Sequence, residues 1–297
     1  MTAIKSQTKK PRRKRLQRDY PLEALRLLSR YHYLTIEQMV ALDLAGSEKA
    51  AWNIVTRNMA GNKPYVGRVK YPPSPVEGKL HDMYYLTKQG AARVIELLNI
   101  EPDQVHYPKG KPPKLQDYFH RRATIDFHIE LDRLVESHNG EVNFFHTYFD
   151  KTGANRNQDP ASRLRALSKI PVGEYFLIPD ANFFVTSPNN DEYLFTAEIY
   201  NGRDTKRVLQ QLDKHRYLLD EGSISAHYKL GQTGWRVLSV FETTAAMNAV
   251  IKRFAANPDL MRYQDYFAFS TLDKLRVSFA HNWLYADGTK RGIFGGC

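Results

Sequence analysis

Apolar positions recur at helical spacing over the first third of the chain. Pro21 opens one such segment, with Leu22, Leu25, Leu27 and Leu28 behind it, and proline suits a first helical turn. Thr35 precedes Ile36, with Gln38 three residues on, which has the form of a capping box. Ala45-Gly46 ends that helix. Ser47 caps a third, which runs to about residue 60 and stops at Gly61-Asn62. At 100° per residue, Ala51, Trp52, Val55 and Met59 of the third helix face inward, and Lys49, Asn53, Thr56 and Arg57 face the other way. Residues 65–71 and 79–86 then read as two strands around Pro72-Pro73-Ser74-Pro75, with Arg68, Lys70 and Lys79 at the base. Thr87-Lys88-Gln89-Gly90 starts a last amphipathic helix with Ala91, Val94, Ile95 and Leu98.

Three short helices with tight turns, then a hairpin, predict a helix-turn-helix with a wing over residues 20–100. Tyr84-Tyr85-Leu86-Thr87-Lys88-Gln89-Gly90 resembles the end of the wing in many bacterial winged helix-turn-helix proteins. The outward face of the third helix carries a cation, an amide and a hydroxyl, the groups that read base edges in a major groove. The plain alternative is an ordinary polar surface.

From residue 117 the rhythm mixes. A long helix spans 117–136, with Phe119, Ala123, Phe127, Leu131 and Leu134 along one side. A strand is expected at 142–149, a polar surface loop at 150–166 and a hairpin at 178–200. A helix capped by Asp204 or Thr205 should turn Val208, Leu209, Leu212 and Leu219 inward. A strand at 235–242, a helix at 243–256 and a strand at 266–270 complete the order of a mixed α/β sheet. The fold class is therefore α+β, an N-terminal winged helix-turn-helix followed by a mixed α/β domain over 117–297.

Charge adds a third part. The 297 residues carry a net charge of +11. Lys9, Lys10, Arg12, Arg13, Lys14, Arg15 and Arg18 account for seven of those charges, so residues 1–19 read as a disordered basic arm suited to phosphate contact. Residues 101–116 hold Pro102, Pro108, Pro112 and Pro113 with Lys109, Lys111 and Lys114, the composition of a semi-rigid basic linker. The single cysteine is Cys297, which excludes an internal disulfide framework and a cysteine zinc site. No run of about 18 apolar residues occurs, so no membrane partner and a cytoplasmic location are expected.

The chemistry centres on 178–205. Asp180 starts one strand of the expected hairpin and Glu198 lies late in the other, so the two carboxylates come to the same end of the sheet. They repel unless a positive charge lies between them, and a hard divalent cation suits oxygen ligands. The plain alternative is a pair of solvated strand-end acids. On the long helix His120 and Glu130 fall on the apolar stripe, Asp126 at its margin, and Asp132 and Glu136 outward. No phosphate-binding loop, no G-x-S-x-G elbow, no H-E-x-x-H and no His-x-His occur.

Helix acid, Pro179-Asp180 and Glu198-Ile199-Tyr200 together resemble the PD-(D/E)xK nuclease superfamily, which includes restriction endonucleases. The resemblance implies Mg²⁺ or Mn²⁺ on Asp180 and Glu198 and an assisting acid at Glu130 or Asp126. It also implies a lysine that orients water, but Tyr200 stands in its place. Lys206 or Arg203 would have to supply the cation, with His120 as another orienting group, or the site is inactive. Glu198-x-Tyr200-x-Gly202-x-x-Thr205 with Lys214-x-x-Tyr217 behind a winged helix further resembles the replication-relaxation family, which includes the MobC-class relaxases. That likeness implies metal-dependent nicking of DNA at an origin of transfer or replication, with Tyr200 and Tyr217 as alternative nucleophiles to water. Its partners would be double-stranded DNA, single-stranded DNA at a nick, relaxosome or transfer proteins and a second copy of the chain. The alternative is a non-catalytic DNA-binding initiator, relaxosome accessory factor or repressor on the same fold.

Overall fold

The computed structural model describes residues 19–75, 77–102, 104–108, 117–153, 163–187, 189–230 and 235–294. Arg12, Arg13, Lys14 and Arg15 of the arm and the linker lysines lie outside the described residues. Within them the protein is mixed α+β, with ten α-helices and a seven-stranded mixed sheet. None of these helices is long and apolar enough to cross a membrane.

Helices α1 (Tyr20–Tyr31), α2 (Ile36–Ala41) and α3 (Glu48–Arg57) start where side-chain caps stand. Asp19 accepts from the Leu22 amide, Thr35 and Gln38 form the reciprocal capping box, and Ser47 accepts from the Ala50 amide. Strands β1 (Val66–Val69) and β2 (Met83–Leu86) pair antiparallel, and Leu34 adds a bridge to Tyr84. Helix α4 (Lys88–Leu98) follows with Thr87 as its cap. Trp52 departs from the expected pattern. Ala51, Ile54 and Val55 fill the inward face of α3, while the indole is 47% exposed. Ile54 takes the core position because the buried arc is centred about 50° from where the sequence pattern placed it.

Helix α5 (Tyr118–Ser137) is shared between the two halves. Phe127, Leu131 and Val135 pack on the sheet, whereas Tyr118, Ile125 and Ile129 join the core formed by α1–α4. Asp132, expected outward, is buried on this second face. It accepts from Arg30 at 2.7 and 2.6 Å and from the Tyr31 hydroxyl at 2.8 Å. A carboxylate can be buried there because three donated hydrogen bonds replace its water.

The large sheet contains β3 (Glu141–Thr147), β8 (Ala181–Thr186), β9 (Glu192–Tyr200), β10 (Arg236–Phe241), β11 (Phe267–Thr271), β12 (Trp283–Leu284) and β13 (Lys290–Arg291). Their spatial order is β13-β12-β11-β10-β9-β8-β3. Strands β3, β8 and β9 are antiparallel neighbours, and β10 and β11 run parallel to β9. Helices α6 (Thr205–Glu221), α7 (Ser223–Tyr228) and α8 (Thr244–Ala255) lie in the crossovers. Val208, Leu212, Met247 and Phe254 join the core on one side of the sheet, and Phe127, Leu131 and Leu275 the core on the other, the last from α10 (Leu272–Val277). A short helix α9 (Pro258–Met261) follows α8. The segment read as a polar loop holds β4 (Lys151–Thr152) paired with β5 (Arg165–Ala166), and a small hairpin, β6 (Ile170–Val172) with β7 (Tyr175–Leu177), precedes Asp180.

Candidate active-site cleft and nucleic-acid face

The pairing of β8 with β9 decides the site. Ala181 stands opposite Ala197 in an antiparallel register, so Asp180, one residue before the strand, falls opposite Glu198. Three contacts fix the backbone there. The Ser168 hydroxyl donates to the Pro179 carbonyl at 2.6 Å, and the Tyr148 amide to the Asp180 carbonyl at 3.1 Å. The Asp180 carboxylate turns back and accepts from the Ile199 amide at 2.6 Å. Its other oxygen meets His120 Nε2 at 2.7 Å. The two acids expected together are thus brought together, at the carboxyl end of the parallel strands, where open α/β sheets place their ligands.

Glu198 is fully buried and points to the α6 side. Gln211 donates to one carboxyl oxygen at 2.6 Å, and His215 Nε2 lies 2.5 Å from the other. Burial first, then the charge of Asp180, push the Glu198 carboxyl well above the usual range. Burial pushes His215 down to about 3. Both shifts favour the uncharged forms of the pair, while the Asp180 carboxylate accepts from the Ile199 amide. For His120, burial opposes the charged form, but the hydrogen bond and charge of Asp180, with Asp117 and Glu198 beyond, outweigh it and raise the imidazole.

A cleft of about 510 Å³ opens over Asp180, and Glu198 lies buried behind its wall. His120, Asp180, Tyr200 and Gln211 line it, together with Asp117, Asp204 and Arg207. Asp117, just ahead of α5, receives the Tyr148 hydroxyl and the Arg121 guanidinium. Tyr200 occupies the place of the expected lysine. It is buried, its hydroxyl makes no hydrogen bond, and burial with the two nearby acids drives its ionisation far up.

Other expected members stand elsewhere. Glu130 is about 15 Å along the α5 axis from His120. It pairs with Arg133 at 2.7 Å, and Arg133 donates on to the Ala41 carbonyl. Asp126 accepts from Gln38 at 2.7 Å and pairs with Arg276 at 3.0 Å. Both acids serve the junction with α2 and α10 because α5 turns that stripe away from the cleft. Lys206 and Arg203 are exposed and do not line the cleft, whereas Arg207 does, one residue beyond Lys206. Tyr217 is half exposed on α6. Among the described residues, no group of three His, Cys, Asp or Glu side chains is gathered as a metal would need.

Asp117, Arg207, Gln211 and His215 escaped the sequence reading. For the last two a signal existed. Gln211 and His215 are four apart, within the stripe Val208, Leu212 and Leu218, and polar groups on a packing face need partners.

Lys49, Asn53 and Arg57 are exposed on α3, and the Thr56 hydroxyl, half-buried, donates to the Asn53 carbonyl at 3.2 Å. Lys70 and Lys79 are exposed on the β1–β2 connection, while Arg68 pairs with Asp82 at 3.5 Å. Lys49, Arg68 and Lys79 share a concavity of about 490 Å³ between α3 and the hairpin.

Comparison with family models, with curated proteins and with solved structures finds no match for this chain.

Proposed function

We propose that this chain is a DNA-binding nicking protein, of the kind the replication-relaxation resemblance implies, acting at an origin of transfer or replication of a mobile element. The observation that carries the reading is the convergence of Asp180 and Glu198 from paired strands beneath an open polar cleft. Helices α1–α4 with the β1–β2 hairpin support a winged helix-turn-helix, with Lys49, Asn53, Thr56 and Arg57 toward duplex DNA and Arg68, Lys70 and Lys79 toward phosphates. The order α5, β3, the β8–β9 hairpin, α6 and β10 supports a nuclease-like domain behind it.

The chemistry of the two acids suits Mg²⁺ or Mn²⁺, although no third carboxylate or imidazole is gathered with them among the described residues. Two carboxylates offer hard oxygen ligands, and burial first, then the charge of Asp180, raises Glu198. Asp180 and Glu198 would hold the ion, which supplies Lewis acidity toward a phosphodiester and acidifies bound water. Gln211 and the Ile199 amide orient the two carboxylates. His215 Nε2 holds the other Glu198 oxygen by a hydrogen bond. His120, raised by its hydrogen bond to Asp180, can give a proton at Nε2, and Arg207 places a cation at the cleft wall. Tyr200 is too deeply buried and too hard to ionise to attack phosphorus, which favours water as the nucleophile.

One observation favours the non-catalytic alternative, an initiator, accessory factor or repressor. The position that carries lysine in active nucleases is a buried tyrosine without charge. The two readings part in one assay. Supercoiled DNA bearing the cognate site should be nicked by wild type with Mg²⁺ or Mn²⁺. Asp180→Ala and Glu198→Ala should lose at least a hundredfold in rate, the order of a lost charge-stabilising group, while still binding DNA. Equal nicking by all three proteins removes the site assignment, and no nicking by wild type that binds DNA selects the alternative.

A further inference from the structure

Three tryptophans occur in the chain, and two are core residues. Trp235 is 2% exposed and Trp283 is fully buried. Trp52 lies on the opposite extreme, its ring lining the concavity between α3 and the hairpin. It lies beside Arg68 and the buried Tyr84 in that concavity. The ring faces open space beside Lys49 and Lys79. Two acids share the concavity, but Asp82 is engaged by Arg68 and Glu48 sits in the first turn of α3. His81 is turned to Glu37 at 3.2 Å.

An exposed aromatic face flanked by lysines matches a partner that alternates negative charge with flat apolar surface. Nucleic acid has that pattern, phosphates outside and base edges, thymine methyls and sugars within. We propose that Trp52 is a nucleotide-contacting residue, packing its indole on a base edge or sugar of duplex DNA while Lys49 and Lys79 take flanking phosphates. The inference rests on the winged-helix reading and is independent of whether the cleft cuts DNA.

The test uses the full chain and a short mixed-sequence DNA duplex at low salt. Tryptophan emission should change on titration and saturate with binding measured by anisotropy of labelled duplex. Trp52→Phe should bind and lose most of the emission change, because the remaining indoles are buried. Trp52→Ala should bind about tenfold more weakly with an unchanged salt slope, the size of one lost aromatic contact. Lys49→Ala and Lys79→Ala should each lower the slope by about one, as lost phosphate contacts do. Equal duplex affinity of wild type and Trp52→Ala, with no emission change, overturns the inference and leaves the winged-helix reading standing. Failure of wild type to bind the duplex overturns both. An emission response to polyglutamate and not to the duplex assigns the concavity to an acidic protein segment and also overturns it.

Discussion

Glu198 is the residue whose surroundings least suit its charge. It is fully buried, faces Asp180, and has only the neutral donors Gln211 and His215. Its folded-state pKa lies above the ordinary value of 4.5. Ionising it therefore costs the folded state progressively as pH rises from that value toward the raised one. Glu198→Gln keeps the shape and removes the cost, so it should melt higher than wild type at neutral pH, and the gain should vanish below about pH 4. Mn²⁺ or Mg²⁺ should raise the wild-type Tm by mass action and leave Glu198→Gln unmoved. A variant less stable than wild type at pH 7 would show that the carboxylate is already compensated. The acid pair itself was legible, because antiparallel pairing makes sequence position equal spatial position near a turn. Gln211, His215 and Arg207 were not, because their approach depends on how α6 lies across the sheet, which no local pattern encodes.

Helix α4 and strand β1 are joined more tightly than their sequences suggest. A Cβ at Gly90 would lie 2.0 Å from the Tyr65 carbonyl oxygen and 2.9 Å from its carbon. That carbonyl also accepts from the Thr87 amide at 2.9 Å, so it cannot withdraw freely. Gly90→Ala should cost about 1–3 kcal/mol despite alanine's better helix propensity, the range for overpacking against a fixed neighbour. Urea unfolding checks this, and a neutral or stabilising result would mean that α4 shifts without penalty. The sequence placed the start of this helix correctly from Thr87 and read Gly90 only as part of that start. Capped starts at Thr35 and Ser47 and the strands of the β8–β9 hairpin were readable, since both are local, whereas the capped starts of α9 and α10 were not read. Short pairs such as β4–β5 and β6–β7 were not, because their partners are set by tertiary position. For Trp52, a face predicted from a few residues was too coarse to separate it from Ile54.

At the scale of the whole molecule, α5 removes the independence that the proline-rich linker implies. One of its faces completes the core of α1–α4 through Tyr118, Ile125 and Ile129, and the other completes the sheet core through Phe127 and Leu131. Polar contacts reinforce the seam. Arg30 and Tyr31 hold Asp132, His32 meets Asp150, and Arg122 pairs with Glu37 at 2.8 Å. Unfolding residues 20–100 alone would expose an apolar face of α5 and leave Asp132 buried without donors, so the two halves should melt together. One calorimetric transition is expected, with equal calorimetric and van't Hoff enthalpies. Two resolved transitions would make the halves independent bodies. Asp132→Ala should lower stability by about 2 kcal/mol at neutral pH, reduced from the usual cost of breaking a buried pair because Arg30 is partly exposed. Burial works to raise the Asp132 carboxyl, but His128 and Arg30 outweigh it and hold it below its ordinary value. Its contribution is accordingly present above that value and disappears as pH falls through the depressed one. The gap between wild type and variant should therefore close under acid, and a gap that persists there would trace the loss to packing at the seam instead of to the ion pair.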